Sequence, residues 1–491
     1  MIKKLPLILI AFVCFQAKAQ FTTPNTGVIW GLDDLLTNAP SALSFSNGIY
    51  TLSQNLTIAQ NDTFVIDENA EIHINADISF TVAGNFTADA PAITITATNT
   101  ATPYNTITFQ EFSNVFLRNV KIDYGKGIRA SSGNFEMQSC SMSYHKQGST
   151  ASSAIAFSQG SPIVNNSRFT FNDYPALGSG ANQLVSAVIT NNYIEGNNIS
   201  NGNRPQINMG PSGDNTLRII GNTIKGNRAL TKTGGISAAS LLGITNRVII
   251  DNNIITDNRY GINVQGATSS GYIRGNIIED NNTENLPNSG GSGISLSASA
   301  TSPIMNVIAS GNQIRGNLWG ITVIGQARIN LGNTDLGNLN EGKNVFSNNG
   351  NGGAIYALYN NTAFPIIAMN NCWIEGNNSP TPQQVEDVIW HQVDTATLGL
   401  VTFTPYGCEA LSVPEKSISK LSIYPNPSSG KFTLTVEENG TMEAYSINGQ
   451  LVATKKLMAG ENTFQIDLPS GMYILQTKTE TKKFTNKLIM D

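Results

Sequence analysis

Short runs in which apolar and polar residues alternate make up most of this chain, and helical stripes are few. The pattern is most legible at Val248–Gly266, VIIDNNIITDNRYGINVQG, where three apolar strands are joined by Asn-rich corners. The same phrase returns as Asn192-Tyr-Ile194-Glu-Gly-Asn197, Asn222-Thr-Ile224-Lys-Gly-Asn227, Asn253-Ile-Ile255-Thr-Asp-Asn258, Asn276-Ile-Ile278-Glu-Asp-Asn281, Asn312-Gln-Ile314-Arg-Gly-Asn317 and Asn344-Val-Phe346-Ser-Asn-Asn349. Successive first asparagines lie 30, 31, 23, 36 and 32 residues apart. Such a period, with strands between corners, predicts a solenoid. A further strand in each rung is predicted to open at Ile207, Ile236, Ile262, Ile294, Ile321 and Ile355. Within the strands one row points inward and the next meets water, so stacking at about 4.8 Å builds an Ile/Val/Leu column that no rung buries alone.

The asparagines have a structural reason. Corners need residues that tolerate left-handed backbone angles, and stacked amides can bond from rung to rung. Weaker rungs precede them at Ser167-Arg-Phe169-Thr-Phe-Asn172, Cys140-Ser-Met142 and Val120-Lys-Ile122. On these motifs the stretch from about Thr51 to Tyr406 resembles the right-handed parallel β-helix proteins of the pectin-lyase-like type, known for secreted polysaccharide lyases, glycosidases and surface adhesins. The resemblance implies an all-β fold and an exported protein, and leaves the activity open.

Met1–Ala19 reads as a signal peptide: Lys3 and Lys4, the apolar run Leu5–Phe15, then Ala17-Lys18-Ala19 as a small-x-small cleavage site. No apolar run is long enough to span a membrane. The leader carries three lysines and no acid, so its removal takes the formal charge from −5 to −8. An acidic chain without a Lys/Arg cluster excludes nucleic acid as a partner. Cys140, Cys372 and Cys408 remain, and export permits a disulfide. Cys372 with Cys408, both near the end of the coil, is the candidate pair, and three free thiols are the alternative.

Residues 20–50 are expected to cap the N-terminal end, with Trp30, Leu32, Leu35 and Leu36 at helical spacing and Asp33-Asp34 as exposed polar positions. His73, between Ile72 and Ile74, is expected to face outward. The coil with its C-terminal cap is placed at 51–408. After a last rung at Asn371-Cys-Trp373-Ile374, Thr381-Pro382 opens a predicted short helix, QQVEDVIWHQ, over the open core. The block from Asn344 to Tyr406 resembles the closing segment of many exported bacterial β-helix proteins.

Residues 409–420 read as a linker, and 421–491 change pattern. KFTLTVEE, MEAYSINGQLVATKKL, NTFQIDL and GMYILQTKT, joined by turn residues such as Asn448-Gly449 and Ser470-Gly471, predict a small antiparallel Ig-like sandwich. Tyr424-Pro-Asn-Pro427, Gly430-Lys-Phe, Tyr445-Ser-Ile-Asn-Gly-Gln450, Leu468-Pro-Ser-Gly-Met-Tyr-Ile474 and the terminal strand Lys482–Asp491 together resemble the type A C-terminal sorting domain of the type IX secretion system of the Bacteroidota. The resemblance implies that the secretion machinery is a partner and that the protein reaches the cell surface or medium. It further implies removal of this domain and attachment of the body to surface lipopolysaccharide.

Chemistry on a parallel β-helix comes from outward residues stacked on adjacent rungs. After the central residue of each phrase that column reads Glu195, Lys225, Thr256, Glu279, Arg315, Ser347 and Glu375. A lyase needs a cation to neutralise the substrate carboxylate and a base, whereas a glycosidase needs two carboxyls. Lys225, Arg228, Asp257, Arg259, Glu279 and Asp280 form the one cluster able to supply either, and alternating signs on neighbouring rungs equally suit cross-strand surface pairs. Asn333-Thr334-Asp335 lacks the partner motifs of a polygalacturonase. No spacing suggests zinc, calcium or a catalytic triad, so neither metal nor cofactor is expected. The reading is an exported β-helix protein contacting extracellular glycans or surface polymers without a catalytic centre, with Tyr193, Tyr260, Trp319 and Trp373 as aromatic candidates. The alternative is a polysaccharide lyase or glycoside hydrolase.

Overall fold

The computed structural model describes residues 20–148, 152–408, 423–436, 438–446, 450–479 and 483–490. The leader Met1–Ala19, the linker Glu409–Lys420 and the Asn448-Gly449 turn lie outside them. The chain divides into two compact units, the first ending at Cys408.

The first unit is a parallel β-helix. One face, face one, is a sheet of fourteen strands in rung order, from Gln20–Thr22 through Asn55–Ile58 and on to Ile262–Gln265, Trp319–Gly325 and Ile389–Trp390. Face two carries strands such as Asn114–Arg118, Thr216–Ile220 and Asn306–Ser310, and face three the strands of the asparagine phrase, such as Tyr193–Glu195 and Ile277–Glu279. All pair in parallel with the rungs above and below. Inward positions form unbroken columns: Ile194, Ile224, Ile255, Ile278 and Ile314 on face three, and Ile207, Ile236, Ile262, Ile294 and Ile321 on face one, are all fully buried. The face-one column continues at Leu358 and not at Ile355, which is 47% exposed. Asn351-Gly-Gly-Ala354 inserts a small antiparallel hairpin there, which delays the strand.

Two amide ladders form the corners. Between faces two and three, Asn192, Asn222, Asn253, Asn276, Asn312, Asn344 and Asn371 each pass an Nδ2–H to the Oδ1 of the next, at 2.8–3.0 Å. Each Oδ1 also accepts the preceding ladder residue's backbone N–H, as in Asn222 to Asn253 at 2.9 Å. Ser167 and Cys140 extend the ladder upstream. Burial pushes the Cys140 thiol up to about 11. The left-handed residue is the one before the ladder amide: Asn191, Gly221, Asn252, Gly275 and Gly311 have φ of 56–70°. The amide is thus selected for its bonds and its predecessor for backbone freedom.

The second ladder, between faces three and one, runs through Asn172, Asn197, Asn258, Asn281, Asn317 and Asn349. His145 stands at its upper end, fully enclosed, and burial holds its imidazole below the ordinary pKa. Asn227 does not join. Gly226 lacks the positive φ of its counterparts, and Asn227 turns outward to accept the Ala229 N–H. Gln206 takes the vacant place from face one: its Oε1 accepts two N–H groups of Asn197, and its Nε2 donates to Asn258 Oδ1 at 3.0 Å and to the Lys225 carbonyl at 2.9 Å. Further up this corner, Tyr124, Tyr144 and Phe171 occupy the left-handed position at φ 55–59° and stack at 5.1 and 6.0 Å.

Both ends of the coil are covered. At the start, Gln20–Thr22 and Ile29–Trp30 already pair with Asn55–Ile58 and Thr63–Ile66, so the first strands of the coil lie within 20–50. The helix spans only Leu32–Asn38, with Leu35 buried and Asp33 and Asp34 exposed, and Trp30 precedes it in a strand. His73 faces out, bonded to Glu71 at 2.8 Å. At the far end Thr381 and Gln384 cap each other across the first turn of a helix that stops at Glu386, and Val385 lies over the core. Val388 and Ile389 are buried beyond it, but Ile389–Trp390 leaves the predicted helix to become the last strand of face one. Cys372 and Cys408 form a disulfide.

The second unit has a three-stranded antiparallel sheet (Ile423–Tyr424, Lys431–Val436, Gly460–Gln465) and a four-stranded one (Leu451–Leu457, Gly440–Ser446, Gly471–Thr479, Lys483–Met490). Phe432, Leu434, Met442, Ala444, Leu475 and Leu488 fill a core of their own, as in a small β-sandwich.

Candidate functional site

The charged residues singled out by sequence lie where alternation places them, on the outer side of face three and its corner with face one. Lys225 Nζ lies 3.3 Å from Glu195, which also faces Arg168 at 3.7 Å. The hydrogen bond to Glu195 raises the Lys225 pKa, the opposite of what a lysine base requires. Arg228 pairs with Asp257 at 2.9 Å and donates to Asn282 Oδ1 at 2.7 Å and to the Asp280 carbonyl at 3.2 Å. Glu279 meets Arg315 at 2.8 Å, and Arg315 grips Glu375 with two bonds of 2.6 and 2.7 Å. These bonds raise the Arg315 pKa and lower that of Glu375. Asp257 and Asp280 occupy left-handed corner positions, with φ 59° and 53°.

Arg259 differs from the others. Only 8% exposed, it binds Glu284, the Asn203 side chain and the Ser289 carbonyl, and so ties loop 198–204 to loop 280–291. A buried guanidinium held through all three of its nitrogens fixes loops and is not exposed to meet a substrate carboxylate. Of the six candidates only Arg228 and Asp257 pair with each other; Lys225, Arg259 and Glu279 are engaged by residues outside the set, and the Asp280 side chain is exposed.

The aromatic candidates separate as well. Trp373 is buried and stacks on Phe346 at 4.9 Å, inside the core. The Tyr260 ring lies against Gly234, where a Cβ would come within 2.2 Å of it. Tyr193 is held under Arg168, 4.2 Å above its ring, and bonds Glu195. Trp319 opens a group that the sequence reading did not collect: Tyr356 and Tyr359 lie 4.7 and 4.9 Å from it, and Trp390 is 6.2 Å from Tyr359. Register on face one makes this group, since Thr322, Tyr359 and Trp390 are successive members of one outward column. All four rings are half-buried and stand apart from the hydrophobic core. Residues 344–373 contain no charged side chain.

Among the described residues no group of three or more His, Cys, Asp or Glu is placed to hold a metal ion, and no helix is long and apolar enough to cross a membrane.

Comparison with known proteins bears on the fold and the destination. Residues 185–336 match the family model of the right handed beta helix region, and residues 422–491 that of the secretion system C-terminal sorting domain. No curated protein matches. Among solved structures, a mutant of the periplasmic alginate epimerase AlgG is similar over 76% of each chain, at 12% identity and a TM-score of 0.37. The chain is a right-handed parallel β-helix protein with a C-terminal sorting domain, exported by type IX secretion to the cell surface or the extracellular space.

Proposed function

We propose that the exported solenoid contacts extracellular glycans or surface polymers and does no chemistry on them. The observation that carries this reading is the group Trp319, Tyr356, Tyr359 and Trp390, four partly exposed rings on the outer side of face one, two of them within the uncharged stretch 344–373. Aromatic faces pack on the C–H faces of sugar rings, and their phenol and indole edges add hydrogen bonds. The engagement of Lys225, Arg228, Asp257, Arg259 and Glu279 by neighbouring charges favours this reading over the alternative of a polysaccharide lyase or glycoside hydrolase, which needs an acid and a base free to act on substrate. We take Met1–Ala19 as the leader for inner-membrane passage, 20–50 as a cap that already carries the first coil strands, 51–408 as the rest of the coil with its C-terminal cap and 421–491 as the part read by the secretion machinery and then removed, with attachment of the body to lipopolysaccharide at the surface.

Glycan arrays and pull-downs on insoluble polysaccharides test the proposal. Tyr359→Ala with Trp390→Ala should weaken binding about tenfold, the equivalent of about 1.4 kcal/mol. Absence of binding by the intact protein to every glycan would sink it. Product release from any polysaccharide that is abolished by Lys225→Ala, Arg228→Ala or Glu279→Ala would establish the alternative instead.

A further inference from the structure

The outer side of face two carries a second row of amides, and it is built unlike the corner ladders. Thr63, Asn85, Asn114 and Asn134 occupy one outward register position on four successive rungs. Asn134 donates to Asn114 Oδ1 at 2.9 Å, Asn114 to Asn85 Oδ1 at 2.7 Å, and Asn85 to Thr63 Oγ1 at 3.2 Å. In the corners each amide spends its second N–H on a backbone carbonyl, as Asn222 does on Ile189 at 3.0 Å. In the outer row that N–H has no protein partner among the described residues, and Asn114 and Asn134 are exposed. One unspent donor per rung, about 4.8 Å apart, therefore points to solvent.

This row edges an open trough of about 660 Å³ whose floor includes Phe116. Phe116 and Glu136 are neighbours in the next outward column. Among the described lining residues Glu136 is the one that is charged, and the Arg118 guanidinium, 5.8 Å from the Phe116 ring, is held by Asp89. We infer that this trough is a binding site for an uncharged polysaccharide lying along the solenoid axis, its hydroxyls taken by the amide row and a sugar face by Phe116. With Arg118 neutralised by Asp89, the Glu136 carboxylate has no ion-pair partner among the described residues and repels uronate polymers, and repeated donors beside an open floor suit an extended chain better than a compact ligand. The inference rests on the glycan reading above, which it narrows to neutral chains and extends to a second site remote in sequence from the aromatic group.

The test uses the full chain against xylan, mannan and amorphous cellulose, with alginate and polygalacturonate as anionic controls. Wild type should bind at least one neutral polymer and neither anionic one. Asn114→Ala with Asn134→Ala, Phe116→Ala, and the blocking change Asn134→Arg should each lower affinity at least fivefold with an unchanged melting midpoint. Should one variant unfold, the others still decide, because all three positions lie on the outer side of the coil. Full binding by the folded trough variants, with loss in Tyr359→Ala/Trp390→Ala, overturns the trough and leaves the broader reading standing. Preferential binding to the uronate polymers overturns its neutral specificity, and no binding to any polymer overturns both.

Discussion

The corner ladders and the charged column of face three run side by side on the same strands, yet repetition means different things in the two. Along the ladder each rung makes the same bonds with nearly the same lengths, and where Asn227 defaults, Gln206 crosses from another face to restore them. Along the charged column the residues change from rung to rung, and they gather into two groups, Arg168–Glu195–Lys225 and Glu279–Arg315–Glu375, with Thr256 between. Burial explains the contrast. An orphaned amide inside the coil costs the full desolvation of its polar atoms, whereas an orphaned surface charge is met by water. Strict repetition marks a physical requirement, and loose repetition marks latitude.

The contrast is broken most severely by Asn253→Ala. It leaves the backbone N–H of Asn222 and one of its side-chain N–H groups without partners. At about 1–3 kcal/mol for each buried orphan, the loss should be about 3 kcal/mol or more in denaturant unfolding. Next comes a pair that inverts intuition from sequence. Gln206→Ala, outside the repeated phrase, should cost about 2 kcal/mol or more, and Asn227→Ala, inside it, less than about 0.5 kcal/mol. Equal effects would mean that Gln206 does not serve the ladder.

That pair also shows where sequence reading stops. The period, the inward columns and the amide corners were legible because each follows from local alternation and from what a buried corner demands. Occupancy was not: Gln206 reaches Asn258 across 52 residues, and nothing local to Asn227 says that it turns away. Ile355 looked like the next strand opening because Gly352-Gly353 disguises an inserted hairpin, and Trp373 looked as available as Trp319 although it closes the core. Of the charged candidates, the sequence shows their face but not their partners, since Arg259 is met by Asn203 from 56 residues away. The aromatic group escaped notice because Tyr359 and Trp390 belong to strands 31 residues apart that only register brings together.

The smallest effect is expected on the charged column. Arg315→Gln should cost about 1 kcal/mol or less, since the pair is partly exposed. Its pH dependence carries a sign. The Glu375 carboxyl, held below its ordinary range by Arg315, adds stability that is complete above about pH 4.3 and fades as pH falls through the folded value. Melting curves of wild type and Arg315→Gln should therefore converge in acid. A difference that persists unchanged at low pH would show that Arg315 acts through packing.

The substitution of Gln206 for Asn227 has a consequence for how such a protein can change over generations. A ladder slot is defined by donors and acceptors in space, so a long amide from a different strand can occupy it. Once it does, the original corner is relieved of its structural duty and its backbone can take another course, as Gly226-Asn227 does here, without a break in the spine. The solenoid can accept insertions at its corners one rung at a time and remain one solenoid. Its outer surface is then open to selection for new ligands while its interior stays as it was.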